Sequence, residues 1–83
     1  MDGNGASNSV TILCFGPLAE IIGRSQKMKI EPENTCRDLI TKLGLTEWLD
    51  SGLKIALNGE ICEIDSLISP NDEVAFLPPV SGG

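Results

Sequence analysis

The sequence comprises 83 residues with 41% hydrophobic side chains and a formal net charge of −6, from 12 acidic and 6 basic residues. This length and apolar content suit one globular domain and argue against disorder. The core is near the lower size limit for folding without disulfides or a bound metal. The net negative charge and the absence of any run of Lys or Arg disfavour binding to nucleic acid. They suit docking on a basic surface of a protein partner.

Residues 1–9 are predicted to form a flexible polar leader. They lack the basic start and the apolar stretch of a signal peptide, and no later apolar run approaches the roughly 20 residues of a membrane span. The cysteines, Cys14, Cys36 and Cys62, are odd in number and match no zinc or thioredoxin-type spacing. We therefore expect buried, reduced thiols in a cytosolic protein.

Two strands and a short helix are predicted in the first part of the domain. Val10 to Phe15 is apolar and β-branched, which indicates a strand. Pro17 suits the first turn of a short helix that ends near Gly23. Gln26 to Ile30 alternates polar and apolar side chains, as expected of a half-exposed strand.

The main helix is predicted to begin after Thr35. Thr35 and Asp38 have the spacing of a capping box, with Asp in place of the usual Glu or Gln, and Gly44 ends the helix. Its apolar residues fall at i, i+3, i+4 and i+7: Cys36, Leu39, Ile40 and Leu43. This single apolar stripe predicts that the helix packs on a sheet.

A helical turn, a hairpin and a last strand complete the domain. Thr46 to Asp50 is predicted to be a helical turn that carries Trp48 as a lid over the core. Asn58-Gly59 is a strong two-residue hairpin signal, flanked by strands at residues 54–57 and 60–63. A turn at residues 70–72 precedes the last strand, Glu73 to Leu77. Element order alone predicts an α+β domain, residues 10–77, with one sheet and one main helix.

The residues after the last strand, Pro78 to Gly83, have the features of a thin extended arm. Two prolines favour an extended conformation with a reach of roughly 18 Å. Gly82 and Gly83 lack Cβ and could pass through a channel that a side chain would block. Pro78, Pro79, Val80 and Ser81 would form the spacer, and the arm would present a bare α-carboxylate to another protein. A frayed chain end is the ordinary alternative.

Side-chain alternation predicts two apolar faces on the sheet. One face is assigned to the core beneath the helix, with Val10, Ile12, Val74 and Phe76. Phe15, Leu77 and, from the hairpin, Ile61 then lie on the outer face near the base of the arm, where we expect a partner interface. The alternative is a second small core closed by the loop around Trp48.

Two runs of sequence resemble one known family. The run from Asn71 to Gly83, with its Pro-Pro-Val-Ser-Gly-Gly end, resembles the small, sulfur-carrying subunits of molybdopterin synthase, and the run from Phe15 to Gly23 is similar to that family's first strand and short helix. The resemblance implies a ubiquitin-like β-grasp fold, in which a mixed sheet places the first and last strands side by side and parallel, with a flexible Gly-Gly tail.

The resemblance also implies a chemistry centred on Gly83. An activating enzyme related to ubiquitin-activating enzymes would use ATP to form a C-terminal acyl-adenylate, and persulfide sulfur would convert it to a thiocarboxylate. The large catalytic subunit, in a heterotetramer, would transfer that sulfur to cyclic pyranopterin monophosphate and build the dithiolene of molybdenum cofactor. The chain has no His and no Tyr, so we expect no enzyme on its own, and no metal or cofactor bound by this chain alone.

Three other functions remain open from the sequence. The chain could carry sulfur for formation of the thiamine thiazole or for tRNA thiolation. Relatives in those pathways share the fold and the Gly-Gly end but generally lack the Pro-Pro-Val-Ser segment before it. It could be a ubiquitin-like modifier joined to target lysines through Gly83. It could also be a binding module with an incidental Gly-Gly end.

Overall fold

The structure, a computed structural model, describes residues 8–79. Its elements in chain order are β1 (Ser9–Cys14), α1 (Pro17–Ile22), β2 (Ser25–Lys29), α2 (Cys36–Leu43), α3 (Thr46–Asp50), β3 (Lys54–Leu57), β4 (Glu60–Cys62) and β5 (Glu73–Leu77). Every predicted element is present, but β1 and β2 lie one residue earlier than predicted and β4 ends one residue earlier. Within residues 8–79, no helix has both the length and the apolar character needed to cross a membrane.

The five strands form one mixed sheet in the order β2-β1-β5-β3-β4. β1 and β5 run parallel, with Ile12 opposite Val74, while the remaining neighbours are antiparallel. This arrangement confirms the α+β, ubiquitin-like β-grasp fold. Because β1 and β5 are parallel, both strands end at the same edge of the sheet, and β5 ends between two hydrogen-bonded neighbours.

The core lies between one face of the sheet and α2. The predicted inward residues of β1 and β5 are all buried in it: Val10, Ile12, Val74 and Phe76. They share one apolar cluster with Cys36, Leu39 and Ile40 of α2. Trp48 packs against the same cluster, so it serves as the predicted lid of this core. Among residues 8–79, no second core forms around it on the outer face.

A capping box closes the N-terminus of α2. The Asp38 N–H donates to Thr35 Oγ1 at 3.3 Å, and the Thr35 N–H donates to Asp38 Oδ2 at 2.8 Å. The predicted capping box is therefore confirmed, and the Thr35 N–H is the largest cause that lowers the pKa of the Asp38 carboxyl. Gly44 ends the helix in the left-handed region with φ 75°.

The β3–β4 hairpin is tied to β5 through its turn. Asn58 and Gly59 have φ of 53° and 90°, which is the positive-φ pair that a tight hairpin requires. Asn58 Oδ1 accepts the Glu73 N–H at 2.9 Å, and Asn58 Nδ2 donates to Asp72 at 3.0 Å. These bonds support the β3–β5 register, which places Ala56 opposite Ala75.

The start of the domain is earlier than the predicted leader boundary. Ser9 belongs to β1, whereas the leader was predicted to extend through residue 9. The carbonyl oxygen of Asn8 accepts the Ile30 N–H at 2.6 Å, and that of Ser9 accepts the Asn71 N–H at 2.7 Å. Residues 1–7 lie outside the described residues, so the leader itself stays a prediction.

Two truncations test where the domain begins. We expect deletion of residues 1–7 to change the unfolding free energy by less than about 0.5 kcal/mol, since this stretch has no apolar run to bury. Deletion of residues 1–9 should cost about 1–2 kcal/mol more, because two backbone acceptors are lost. Urea unfolding of both variants measures the difference. Equal stability of the two truncations would contradict the boundary at Asn8.

Candidate tail exit and docking face

The C-terminal tail leaves from the middle of the sheet. β5 ends at Leu77, which lies opposite Lys54 of β3, while Phe76 lies opposite Cys14 at the end of β1. Pro78 follows as a half-buried residue and Pro79 is exposed. Strands on both sides of β5 therefore hold the root of the tail.

Two glycine turns flank the prolines at this exit. A Cβ built on Gly16 would lie 3.5 Å from Pro78 Cγ, and one built on Gly52 would lie 3.6 Å from Pro79 Cβ. Both glycines have positive φ, of 57° and 103°, where other residues are strained. The turns after β1 and after α3 thus border the path of the tail. Gly52 was not among the predicted site residues, because its position after a short helix predicts a turn but not its proximity to the tail.

An apolar row crosses the sheet face opposite α2. Leu13 lies opposite Ala75, Ala75 opposite Ala56, and Ala56 opposite Ile61. Paired residues on neighbouring strands project to the same side, so these four side chains share one face. We call them the open-face row. Ile61 at its β4 end is 62% exposed.

The residues predicted for a partner interface border this row. Phe15 is 47% exposed and lines a shallow groove with Leu13 and Gly16. Leu77 is half-buried and by alternation lies on the same face as Ala75. Phe15 and Leu77 follow a paired position on adjacent parallel strands, so the structure brings them together at the tail exit.

Ile61 is also on the open face but farther from the tail than expected. It lies on the edge strand β4, and β3 separates that strand from β5. The predicted interface residues therefore mark two ends of one surface. Whether this surface binds a partner stays a prediction.

Lysine side chains border the open face. Lys27 lies opposite Thr11, Lys29 opposite Ser9, and Lys54 opposite Leu77, and all three lysines are exposed. The positive charge of these three lysines contrasts with the net charge of −6 of the whole chain. Glu73 lies opposite Thr11 on the same face, so charges of both signs border it, and the basic partner surface expected from composition stays a prediction.

The chemical groups expected at the end of the tail lie outside the described residues. These are Val80, Ser81, Gly82 and Gly83, whose roles stay predictions. Among residues 8–79, no group of three or more His, Cys, Asp or Glu side chains is arranged to hold a metal ion. The described part of the site thus consists of the tail exit, its glycine turns and the open face.

The chain is similar to known proteins over most of its length. A sequence model of the ThiS family matches residues 12–83. The chain is 38% identical over 85 residues to the molybdopterin synthase sulfur carrier subunit of Dictyostelium discoideum, and the match covers 93% of this chain and 99% of that protein.

Two solved structures extend this likeness to three dimensions. One is a protein–protein complex of subunits 1 and 2 of the molybdopterin-converting factor from Helicobacter pylori 26695, with 31% identity, a TM-score of 0.63, and 90% of this chain and 99% of the matched chain covered. The other is SAMP1, small archaeal modifier protein 1, from Haloferax volcanii, with 27% identity, a TM-score of 0.72, and 90% and 99% covered.

Proposed function

We propose that this chain, which belongs to the ThiS family, is the sulfur carrier subunit of a molybdopterin synthase. The observation that carries the proposal is the 38% identity to a subunit of that name, over 99% of its length. The Pro-Pro-Val-Ser-Gly-Gly end and the Phe15 to Gly23 run support the same assignment, because they extend the likeness to the tail and its exit.

The reactive group in this proposal is the carboxylate of Gly83. A carboxylate resists nucleophiles until one of its oxygens becomes part of a good leaving group. An activating enzyme therefore first joins it to AMP, using ATP and releasing pyrophosphate. A persulfide then displaces AMP and forms an acyl disulfide, and attack of a thiol on that disulfide releases the thiocarboxylate, while the thiol becomes oxidised to a disulfide. The sulfur finally passes to cyclic pyranopterin monophosphate, where it becomes part of the molybdopterin dithiolene.

The chain contributes position rather than acid–base chemistry. β5 and its two neighbours anchor the root of the tail, and the prolines favour an extended arm. A reach of roughly 18 Å allows Gly83 to enter an active site on another protein. Gly82 keeps the segment before Gly83 narrow, since no side chain projects from it.

The open face supplies the docking surface for the large subunit. Phe15 and Leu77 lie beside Pro78 at the tail exit, so docking there would align the tail with the partner's active site. The large subunit would supply the catalytic groups within a heterotetramer, and the activating adenylyltransferase would be a second partner. The reaction would take place in the cytosol.

The likeness to SAMP1 supports a second candidate, a ubiquitin-like modifier. The same acyl-adenylate at Gly83 serves both chemistries, because either a sulfur nucleophile or a target lysine can displace AMP. The two functions therefore differ in the fate of the activated carboxylate and not in its formation.

Intact mass spectrometry separates these functions. Incubation with the activating enzyme, ATP and a sulfur donor should raise the mass by about 16 Da, since sulfur replaces one carboxylate oxygen. The loaded chain should then convert the pterin precursor when the large subunit is added. Persistent conjugates to lysine without the mass increase would favour the modifier, and an unchanged mass without conjugates would contradict both functions.

A further inference from the structure

Two cysteines from distant parts of the chain meet at the edge of the core. The sulfur atoms of Cys36 and Cys62 lie 3.8 Å apart. Cys36 is the first residue of α2 and is fully buried, whereas Cys62 is the last residue of β4 and is half-buried. Both are free thiols. The contact therefore joins the main helix to an edge strand of the sheet.

We propose that Cys36 and Cys62 form a reversible intramolecular disulfide by exchange with a small-molecule disulfide such as oxidised glutathione. The sequence predicted buried, reduced thiols, and Cys62 departs from that prediction because β4 is an edge strand that leaves it partly accessible. This modification site is separate from the tail and does not depend on the proposed function.

The geometry requires a small movement. Bond formation shortens the sulfur–sulfur distance from 3.8 Å to about 2.05 Å. The Cys36 side is firmly held, because its N–H donates to the Ser66 carbonyl at 3.0 Å and the capping box precedes it. In the described part of the chain, β4 pairs only with β3. We therefore expect β4 and the Cys62 side chain to make most of the movement.

The two thiols would have different roles. Burial raises the pKa of Cys36 to about 12, and the neighbouring Cys62 adds to the shift, so Cys36 is the protonated, shielded thiol of the reduced protein and reacts only after the mixed disulfide has formed beside it. Cys62 is the sulfur that a small disulfide can reach, and its thiolate is the nucleophile of the first exchange.

The exchange is balanced in two steps. The Cys62 thiolate, having lost its proton to solvent, attacks one sulfur of oxidised glutathione, forms a mixed disulfide and releases one glutathione thiolate. Cys36 then gives its proton to a released thiolate and attacks the Cys62 sulfur, which expels the second glutathione. The two protein thiols are oxidised, and one glutathione disulfide is reduced to two glutathione thiols.

The disulfide would link β4 covalently to the first residue of α2. Ile61, which precedes Cys62, forms one end of the open-face row and is 62% exposed. Oxidation would thus restrict the strand that presents Ile61, while the tail exit on the opposite side of β3 would be unaffected.

The test uses the full chain, reduced and then treated with oxidised glutathione. We expect the wild type to lose about 2 Da, to keep Cys14 available to an alkylating agent after unfolding, and to yield a cross-linked peptide pair containing Cys36 and Cys62. A reductant should restore the original mass. The Cys14→Ser variant is the matched control and should behave like the wild type.

Two further variants distinguish the roles of the thiols. Cys62→Ser changes a half-buried residue and should abolish the mass loss. Cys36→Ala should retain one glutathionyl group on Cys62, because the resolving thiol is gone. The proposal is overturned by an unchanged wild-type mass, by stable glutathionylation of the wild type, by covalent dimers, or by a mass loss that survives in Cys62→Ser.

Discussion

We expect the Gly82→Phe variant to lose sulfur loading at Gly83 by at least about 100-fold, since misplacing a reacting group by an ångström has an effect of this size. The phenyl ring would fill the narrow channel through which the activating enzyme takes the end of the tail. The fold should be unaffected, because the last fully buried side chain of β5 is Phe76, and the substitution lies beyond the tail exit.

The controls for this result lie in the same tail. Deletion of Gly83 should also abolish loading, whereas Ser81→Ala, a small change in the spacer, should load normally. Intact mass after activation measures loading, and circular dichroism with urea unfolding measures the fold. Normal loading of Gly82→Phe would contradict the proposal that position 82 must carry no side chain.

The second large effect is expected at the open face. Phe15→Glu should weaken binding to the large subunit by at least about 30-fold, the effect typical of removing an aromatic hot-spot residue from an interface. In the free chain Phe15 is 47% exposed, so the carboxylate can remain hydrated and the chain should fold. In the complex the same carboxylate would lose its water without a partner. Leu77→Glu should lose binding as well.

A matched pair of substitutions separates docking from general effects of surface charge. Ile61 and Leu67 are both 62% exposed, but Ile61 is in the open-face row, whereas Leu67 pairs with Thr35 at the start of α2. Ile61→Glu should weaken binding to the large subunit, and Leu67→Glu should not. Isothermal titration calorimetry with each variant measures the difference. Collapse of the fold in Phe15→Glu, or equal binding by all variants, would contradict the face assignment.

Local features of the sequence determined where the elements lie. The capping box at Thr35 and Gly44 bound α2, and Asn58-Gly59 specifies the hairpin, because these signals act through bonds and dihedral angles within a few residues. Alternation likewise identified the inward side chains of β1 and β5, since neighbouring residues on a strand point to opposite faces. These predictions needed no knowledge of which strands are neighbours.

The order of the strands was decided by tertiary structure. β5 is last in the chain but lies between β1 and β3, an arrangement that element order alone could not specify and that the family resemblance supplied in part. Only this insertion aligns Leu13, Ala75, Ala56 and Ile61 across one face. Ala56 gave no sequence signal, because its role depends on the residues opposite it.

The same long-range packing decided the contacts at the tail exit and between the cysteines. Gly52 lies beside Pro79, and Cys36 lies beside Cys62, although each pair is separated by more than a whole element of secondary structure. The sequence predicted that the cysteines were buried but could not show that Cys62 is on an edge strand. Local propensity determines each segment separately, whereas these contacts exist only after the strands and α2 have packed together to bury their apolar faces.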